Sequence, residues 1–297
     1  MAADLPAYRF SSETTSQDSK SCPDAARSDE CAVSSAFMGR SRGYGVEFEK
    51  LRLERRDRLT FVKFRTGGKL NLVGSKFMVE MVDALKLVER DDSRVLALEG
   101  EGNFGAGVDL EELYEVSKNS DAVSKFFSSL RELFINLLRF RKPVVSLVTG
   151  VAYGASLELA ILSDFVISSP EAKFSSPGMR WGLFPPVLLA LGPSIMGTRR
   201  LNRFILTGEE VDAREAATMG LVDLVSPDPE RELERLSKEL LRNGPQVLAL
   251  AKRLRTRDVE ERILLYMKEL VVQATTDEVK EGLRAFVFRR TPPWVPR

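Results

Sequence analysis

Residues 143–150, P-V-V-S-L-V-T-G, run directly into V-A-Y-G-A-S-L-E-L-A-I-L-S at 151–163. No other feature narrows the fold of this chain as much. The first run is apolar on both alternations of a strand, so neither face can meet water. It ends in glycine and small residues, and helical spacing then begins near Gly154. A strand buried on both faces and followed by a helix belongs in a parallel sheet covered by helices. S-R-V-L-A-L-E-G at 93–100 repeats the device, with the loop G-N-F-G-A-G-V-D-L at 102–110 and helical patterns over about 109–117 and 121–139. D-F-V-I-S-S at 164–169 is a third strand of the same kind. The fold class is therefore α/β.

The flanks have different textures. Residues 46–55 and 58–65 alternate apolar and polar about Asp57 and predict a hairpin, and 74–89 has helical spacing. Beyond about 187 the pattern is almost all helix, with 221–226 the one strand-like exception. Amphipathic helices are predicted over 229–242, 245–255 and 259–290, the last with a break. Residues 1–44 are rich in Ser, Thr, Asp, Ala and Gly without hydrophobic periodicity, and predict a disordered tail in which Met38 is a candidate start. The expected organisation is a tail at 1–44, an α/β core at 45–225 and a helical C-terminal part at 226–297.

Absences exclude whole chemistries. The chain has no histidine. A Ser-His-Asp triad, a Cys-His pair and imidazole metal ligands are impossible, so proton transfer near neutral pH falls to carboxylates, Lys, Tyr or a thiol. The only cysteines, Cys22 and Cys31, lie in the tail, which leaves no thiol in the core and no expected metal site. With 44 basic and 43 acidic residues there is no nucleic-acid surface to expect. No run approaches the roughly 18 apolar residues of a membrane span, and the N-terminus lacks a leader pattern. A cytoplasmic protein without a membrane partner is the expectation.

The chemistry then concentrates at the two strand-to-helix loops. Gly105-Ala106-Gly107-Val108-Asp109 and Gly150 to Ala155 each bring backbone N–H groups to the carboxyl end of a strand, at a helix start. Two such donors aimed at one oxygen form an oxyanion hole worth about 3–4 kcal/mol per donor. Neither loop has the spacing of a dinucleotide or Walker motif. Taken singly, each reads rather as a tight turn. Glu158 is sharper. On a helix from Gly154 it shares an apolar face with Gly154, Ala155, Ile161 and Leu162. A carboxylate there is either a pocket acid with a raised pKa or the partner of an Arg or Lys from elsewhere.

Together these segments resemble the crotonase superfamily, the enoyl-CoA hydratase/isomerase family. The resemblance rests on K-P-V-V-S-L-V-T-G-V-A-Y-G-A-S-L-E-L-A-I-L-S-D-F at 142–165 and F-G-A-G-V-D-L-E-E-L at 104–113. It continues in A-K-F-S-S-P-G-M-R-W-G-L-F-P at 172–185, in 206–225 and in E-G-L-R-A-F-V-F-R-R-T-P-P-W at 281–294, so it spans about 45–297 in order. It implies a crotonase-like spiral of ββα units with a helical C-terminal part that supports homotrimers or hexamers. It implies an acyl-CoA substrate, with coenzyme A arriving as part of that substrate and no separate cofactor. The thioester oxygen maps onto the amides of Val108 and Ala155, and the acid/base onto Glu158. Substrate contacts map onto Ala106, Gly107, Asp109, Gly154, Gly178 and Trp181, with Arg180 and Trp181 at the acyl end. Arg289 and Arg290 are among the candidates for the coenzyme A phosphates.

The sequence departs from the family pattern at two positions. The second glutamate of family hydratases normally follows the proline of F-x-x-P-E; here F-S-S-P-G places Gly178 there. The small triplet ends in Ser156. Hydration needs one group to activate water and one to protonate Cα, and loss of a general acid or base costs about 10²–10⁴-fold. Asp109 reads as an N-cap, Glu111 and Glu112 as a solvated helix start, and Tyr153 as a poor base. The leading expectation is an enoyl-CoA hydratase/isomerase. The alternatives are another enolate reaction, isomerisation or decarboxylation, or a non-catalytic acyl-CoA-binding homologue. Glu158 facing a cavity shared with Val108 and Ala155 favours an enzyme; Glu158 tied to an arginine favours a scaffold.

Overall fold

The computed structural model describes residues 46–296; the expected tail at 1–44, with Cys22, Cys31 and Met38, lies outside the described residues. Strands β1 (Leu51–Arg56) and β2 (Leu59–Phe64) form the predicted antiparallel hairpin. Asp57 turns it in the left-handed backbone region (φ 53°), which Asp tolerates. After it the main sheet runs parallel in the order β1-β2-β4-β6-β8-β11, with β4 at Val95–Gly100, β6 at Val144–Val148, β8 at Phe165–Ser168 and β11 at Leu224–Val225.

Sequence reading missed the short second strands. β7 (Val151–Tyr153), β9 (Lys173–Ser175) and β10 (Glu210–Asp212) form a second sheet in the order β10-β9-β7. β3 (Leu72–Val73) and β5 (Gly107–Val108) form a parallel pair. These pieces have two or three residues, too short for periodicity to register. They set the repeat. A main-sheet strand leads into a short strand off the sheet and then a helix: β4, β5 and α2 (Leu110–Val116) with α3 (Ser120–Arg139), then β6, β7 and α4 (Gly154–Leu162). β8 and β9 lead likewise through a 3₁₀ turn (Pro177–Trp181) to α5 (Pro186–Thr207), kinked at Gly197. This is the ββα spiral that the resemblance implied.

Why the strands lack polar faces is now visible. Val144 and Val148 point into the larger core, with α3, α4 and α1 (Ser75–Arg90). Val145 and Leu147 point the other way, onto a smaller core with Phe61, Ala97 and Ile167, covered by Leu233 of α7 (Pro229–Leu241). Helix α4 is buried from Ala155 to Leu162, an all-round apolar helix at the centre of the molecule.

The C-terminal helices differ from expectation. Residues 245–274 form one helix, α8 (Pro245–Ala274), rather than two, and the break falls at 275–276 before α9 (Asp277–Val287). The apparent gap near 256–258 is a change of face. Val247, Leu250 and Leu254 are exposed, whereas Val259, Ile263, Met267, Leu270 and Ala274 are buried. Among the described residues no helix is long and apolar enough to cross a membrane.

Asp164, just past α4, ties this helix to the sheet. Its Oδ2 accepts from the Val144 amide at 2.8 Å and from Lys252 at 2.5 Å, and its Oδ1 from Arg255 at 2.7 Å. Burial pushes the Lys252 ammonium below its ordinary range, and Asp164 opposes that shift. Because Asp164 and Lys252 side chains are only 7% and 13% exposed, removing one strands the other. Asp164→Ala is expected to lower the unfolding free energy by about 3–5 kcal/mol, read by urea denaturation.

Candidate active site

The two Gly-rich loops meet through their backbones. Gly105 N–H donates to Val151 O, and Tyr153 N–H donates to Gly105 O, both at 2.9 Å, so Gly105 and Ala152 form an isolated parallel bridge. The approach leaves little room for a side chain. A Cβ at Gly107, whose φ is +90°, would lie 3.0 Å from Tyr153 O and 3.3 Å from Ala155 N. A further bond explains Ser156. Its buried Oγ accepts from the Gly107 amide at 3.0 Å, so this departure from the family's small triplet pins one loop to the other. Ala155 lies in the first turn of α4, where amides have no intrahelical partner, and the N-cap Tyr153 provides no side-chain cap.

Glu158 is 3% exposed and has no Lys or Arg within ion-pair distance among the described residues. Its Oε1 accepts from the amides of Val187 (2.6 Å) and Leu188 (3.1 Å), in the first turn of α5. The N-cap of that helix is Pro185, which has no capping side chain. Glu158 therefore caps α5 from another helix, with the helix dipole in its favour. Oε2 has no protein hydrogen-bond partner among the described residues. Burial raises the carboxyl from 4.5 to about 8, against the opposing pull of the Leu188 and Val187 amides.

One cavity of about 430 Å³ borders these groups. Nine of the residues expected from sequence line it: Ala106, Gly107, Val108 and Asp109 from the first loop, Gly154, Ala155 and Glu158 from α4, and Gly178 and Trp181 from the 3₁₀ turn. Asp109 is the expected N-cap, accepting from the Glu111 and Glu112 amides. Glu112 is not simply solvated; its carboxylate accepts from Ser75 N–H at the start of α1. Glu111 is exposed at the cavity edge. Arg180 does not line the cavity as expected, because its Nη2 donates to Gly208 O at 3.0 Å. The Tyr153 hydroxyl donates to Glu210, and burial raises its pKa further, which removes it as a base. Gly178 leaves no carboxylate at its position, and a Cβ there would stand 3.1 Å from Leu183 O.

The sequence profile of the enoyl-CoA hydratase/isomerase family matches residues 54–297. The chain belongs to that family. It is 28% identical over 266 residues to the 2,3-dehydroadipyl-CoA hydratase of Escherichia coli, covering 84% of this chain and 99% of that one. It is 29% identical over 220 residues to enoyl-CoA hydratase domain-containing protein 3, mitochondrial, of Rattus norvegicus, covering 71% and 73% of the two chains. A crystal structure of an enoyl-CoA hydratase/isomerase from Mycobacterium paratuberculosis superimposes with a TM-score of 0.74 at 25% identity, over 82% of this chain and all of the other. Methylmalonyl-CoA decarboxylase shares the fold, with a TM-score of 0.73 at 20% identity.

As a member of the hydratase/isomerase family the chain carries a site whose apolar wall sequence reading missed. Phe127 and Leu130 of α3, Leu270 of α8, Phe184 and Phe286 also line the cavity. Four of them sit on helical stripes indistinguishable in sequence from plain core, and Phe184 lies in the connection before α5. Among the described residues no acidic or thiol cluster could hold a metal. The buried Glu158 has a stability signature. Above pH 4.5 the unfolded chain loses this proton while the folded chain keeps it, so stability falls by ~1.4 kcal/mol per pH unit until about pH 8. Glu158→Gln removes that loss. Its stability relative to the parent is expected to improve by about 2–4 kcal/mol between pH 5 and pH 8 in denaturant titrations.

Proposed function

We propose that this protein adds water across the α,β double bond of an enoyl-CoA thioester, using Glu158 as its single acid/base. One observation carries the reading. Glu158 is anchored through Oε1 and keeps Oε2 unpartnered, in the cavity that Val108 and Ala155 also border. The scaffold reading required an arginine on Glu158, and among the described residues there is none.

In the proposed reaction the Val108 and Ala155 amides donate to the thioester oxygen, aided by the N-terminal dipole of α4. Cβ becomes electrophilic. Glu158 Oε2 takes a proton from water as the water oxygen bonds to Cβ, and the electron pair moves onto the thioester oxygen as an enolate. Glu158 then returns that proton to Cα and the enolate collapses to the thioester. One carboxylate thus serves both steps in turn, which the glycine at 178 requires. The same cycle without water moves a double bond between the β,γ and α,β positions. A single carboxylate favours that isomerisation as the second reading. Coenzyme A enters and leaves with the acyl group.

The test is hydration of crotonyl-CoA, followed by loss of the conjugated thioester absorbance. Glu158→Gln is expected to lower kcat by about 10²–10⁴-fold while saturated acyl-CoA still binds. The first step needs the carboxylate form, so kcat/KM is expected to rise about tenfold per pH unit below about pH 8 and to level above it. Inactivity of both proteins toward crotonyl-CoA and a 3-enoyl-CoA, with binding retained, would leave an acyl-CoA-binding protein.

The proposed assembly is a homotrimer or a pair of trimers. Exposed Val247, Leu250, Leu254, Leu265 and Val272 along α8 support it, because an unpartnered apolar helix face favours self-association. Light scattering is expected to give three or six times the 33.2 kDa chain mass.

A further inference from the structure

The charge of the cavity wall limits which acyl groups it can take. Of the side chains that carry acid or basic groups ordinarily charged near neutral pH, Asp109, Glu111 and Glu158 border the cavity, and all are acids. Among the described residues no Lys or Arg borders it. Arg180, the cation next to Trp181 in sequence, is turned away to the Gly208 carbonyl. The rest of the wall is largely apolar. Phe127, Leu130 and Leu270 are at most 3% exposed, and Trp181 meets Phe286 edge to face at 5.2 Å between ring centroids.

A carboxylate carried into this space would lose its water and find no cation. That desolvation would go uncompensated. An alkyl chain meets no such penalty and gains from burial at every methylene. The space is also larger than a four-carbon acyl group needs. With about 30 Å³ per water-sized group, 430 Å³ holds roughly fourteen of them.

We infer that this site selects uncharged, apolar acyl chains of medium length and excludes acyl-CoA esters that end in a carboxylate. The inference rests on the reading that this cavity holds the acyl thioester. It deepens that reading by naming the substrate class.

The test uses saturated esters, which bind without turnover, titrated calorimetrically into the full chain. The probes are butyryl-CoA, octanoyl-CoA and suberyl-CoA, the last matching octanoyl in length but ending in a carboxylate. Octanoyl-CoA is expected to bind at least tenfold more tightly than butyryl-CoA, and suberyl-CoA at least a hundredfold more weakly than octanoyl-CoA. Suberyl-CoA binding within tenfold of octanoyl-CoA would overturn the charge selection. Equal affinity for butyryl and octanoyl esters would overturn the length selection. Binding of none of the three would instead remove the acyl-CoA site itself, and the proposed function with it. A variant isolates the charge. Phe286 borders the cavity and is 37% exposed, so a lysine stem there can cover apolar surface while its ammonium stays near water. Phe286→Lys is expected to improve suberyl-CoA relative to octanoyl-CoA by at least tenfold; an unchanged ratio would refute the electrostatic cause.

Discussion

A backbone bridge between two loops is the constraint on which the site depends. The bonds Gly105 N–Val151 O and Tyr153 N–Gly105 O place the end of β4 beside the end of β6, outside the main sheet. Without them the amides of Val108 and Ala155 would belong to separate turns. A Cβ at Gly105 would fall 2.7 Å from Asn71 O, and Ser156 adds a buried acceptor for the Gly107 N–H. Burying a polar hydroxyl beside an orphan amide satisfies both, where alanine would leave the donor unmet. The loop carrying Val108 is thereby held to the helix carrying Ala155 by main-chain and side-chain bonds together.

Glu158 answers to two demands at once. One oxygen completes a helix start that Pro185 cannot cap, and the other borders the cavity unpaired. Desolvation outweighs the two amide bonds, so the group titrates near neutral pH instead of near 4.5. In a chain without histidine that shift supplies a proton carrier in the useful range. The site tolerates the cost because α4 sits at the centre of a core packed on all sides.

The same economy of acids recurs away from the cavity. Glu112 serves the start of α1 from the first turn of α2, and Asp164 joins Val144, Lys252 and Arg255. Two carboxylates that sequence reading would place on surfaces or in helix turns thus connect elements distant along the chain. Asp164 in particular fixes α8 against the start of β6, and α8 contributes Leu270 to the cavity.

Much was legible in the residues alone. The unbroken apolar runs of β4, β6 and β8 require a sheet covered on both faces, because no alternation leaves a wet side. The absence of histidine, the acid inside an apolar helix and the glycine at 178 were plain, and the order of motifs carried the family. Local pattern could not show what lies between elements. The short strands β5, β7 and β9 have too few residues for periodicity. Phe127, Leu130 and Leu270 have the spacing of ordinary core residues. Whether an apolar side chain faces another side chain or an empty volume depends on how helices from distant parts of the chain are set against each other. The partner of Glu158 was undecidable for the same reason. Sequence determined that the acid would be buried or at the edge of a pocket, since it shares an apolar helix face. Only the tertiary structure decided that its partners are two amides and not an arginine, because the start of α5 reaches it through packing that no local pattern encodes.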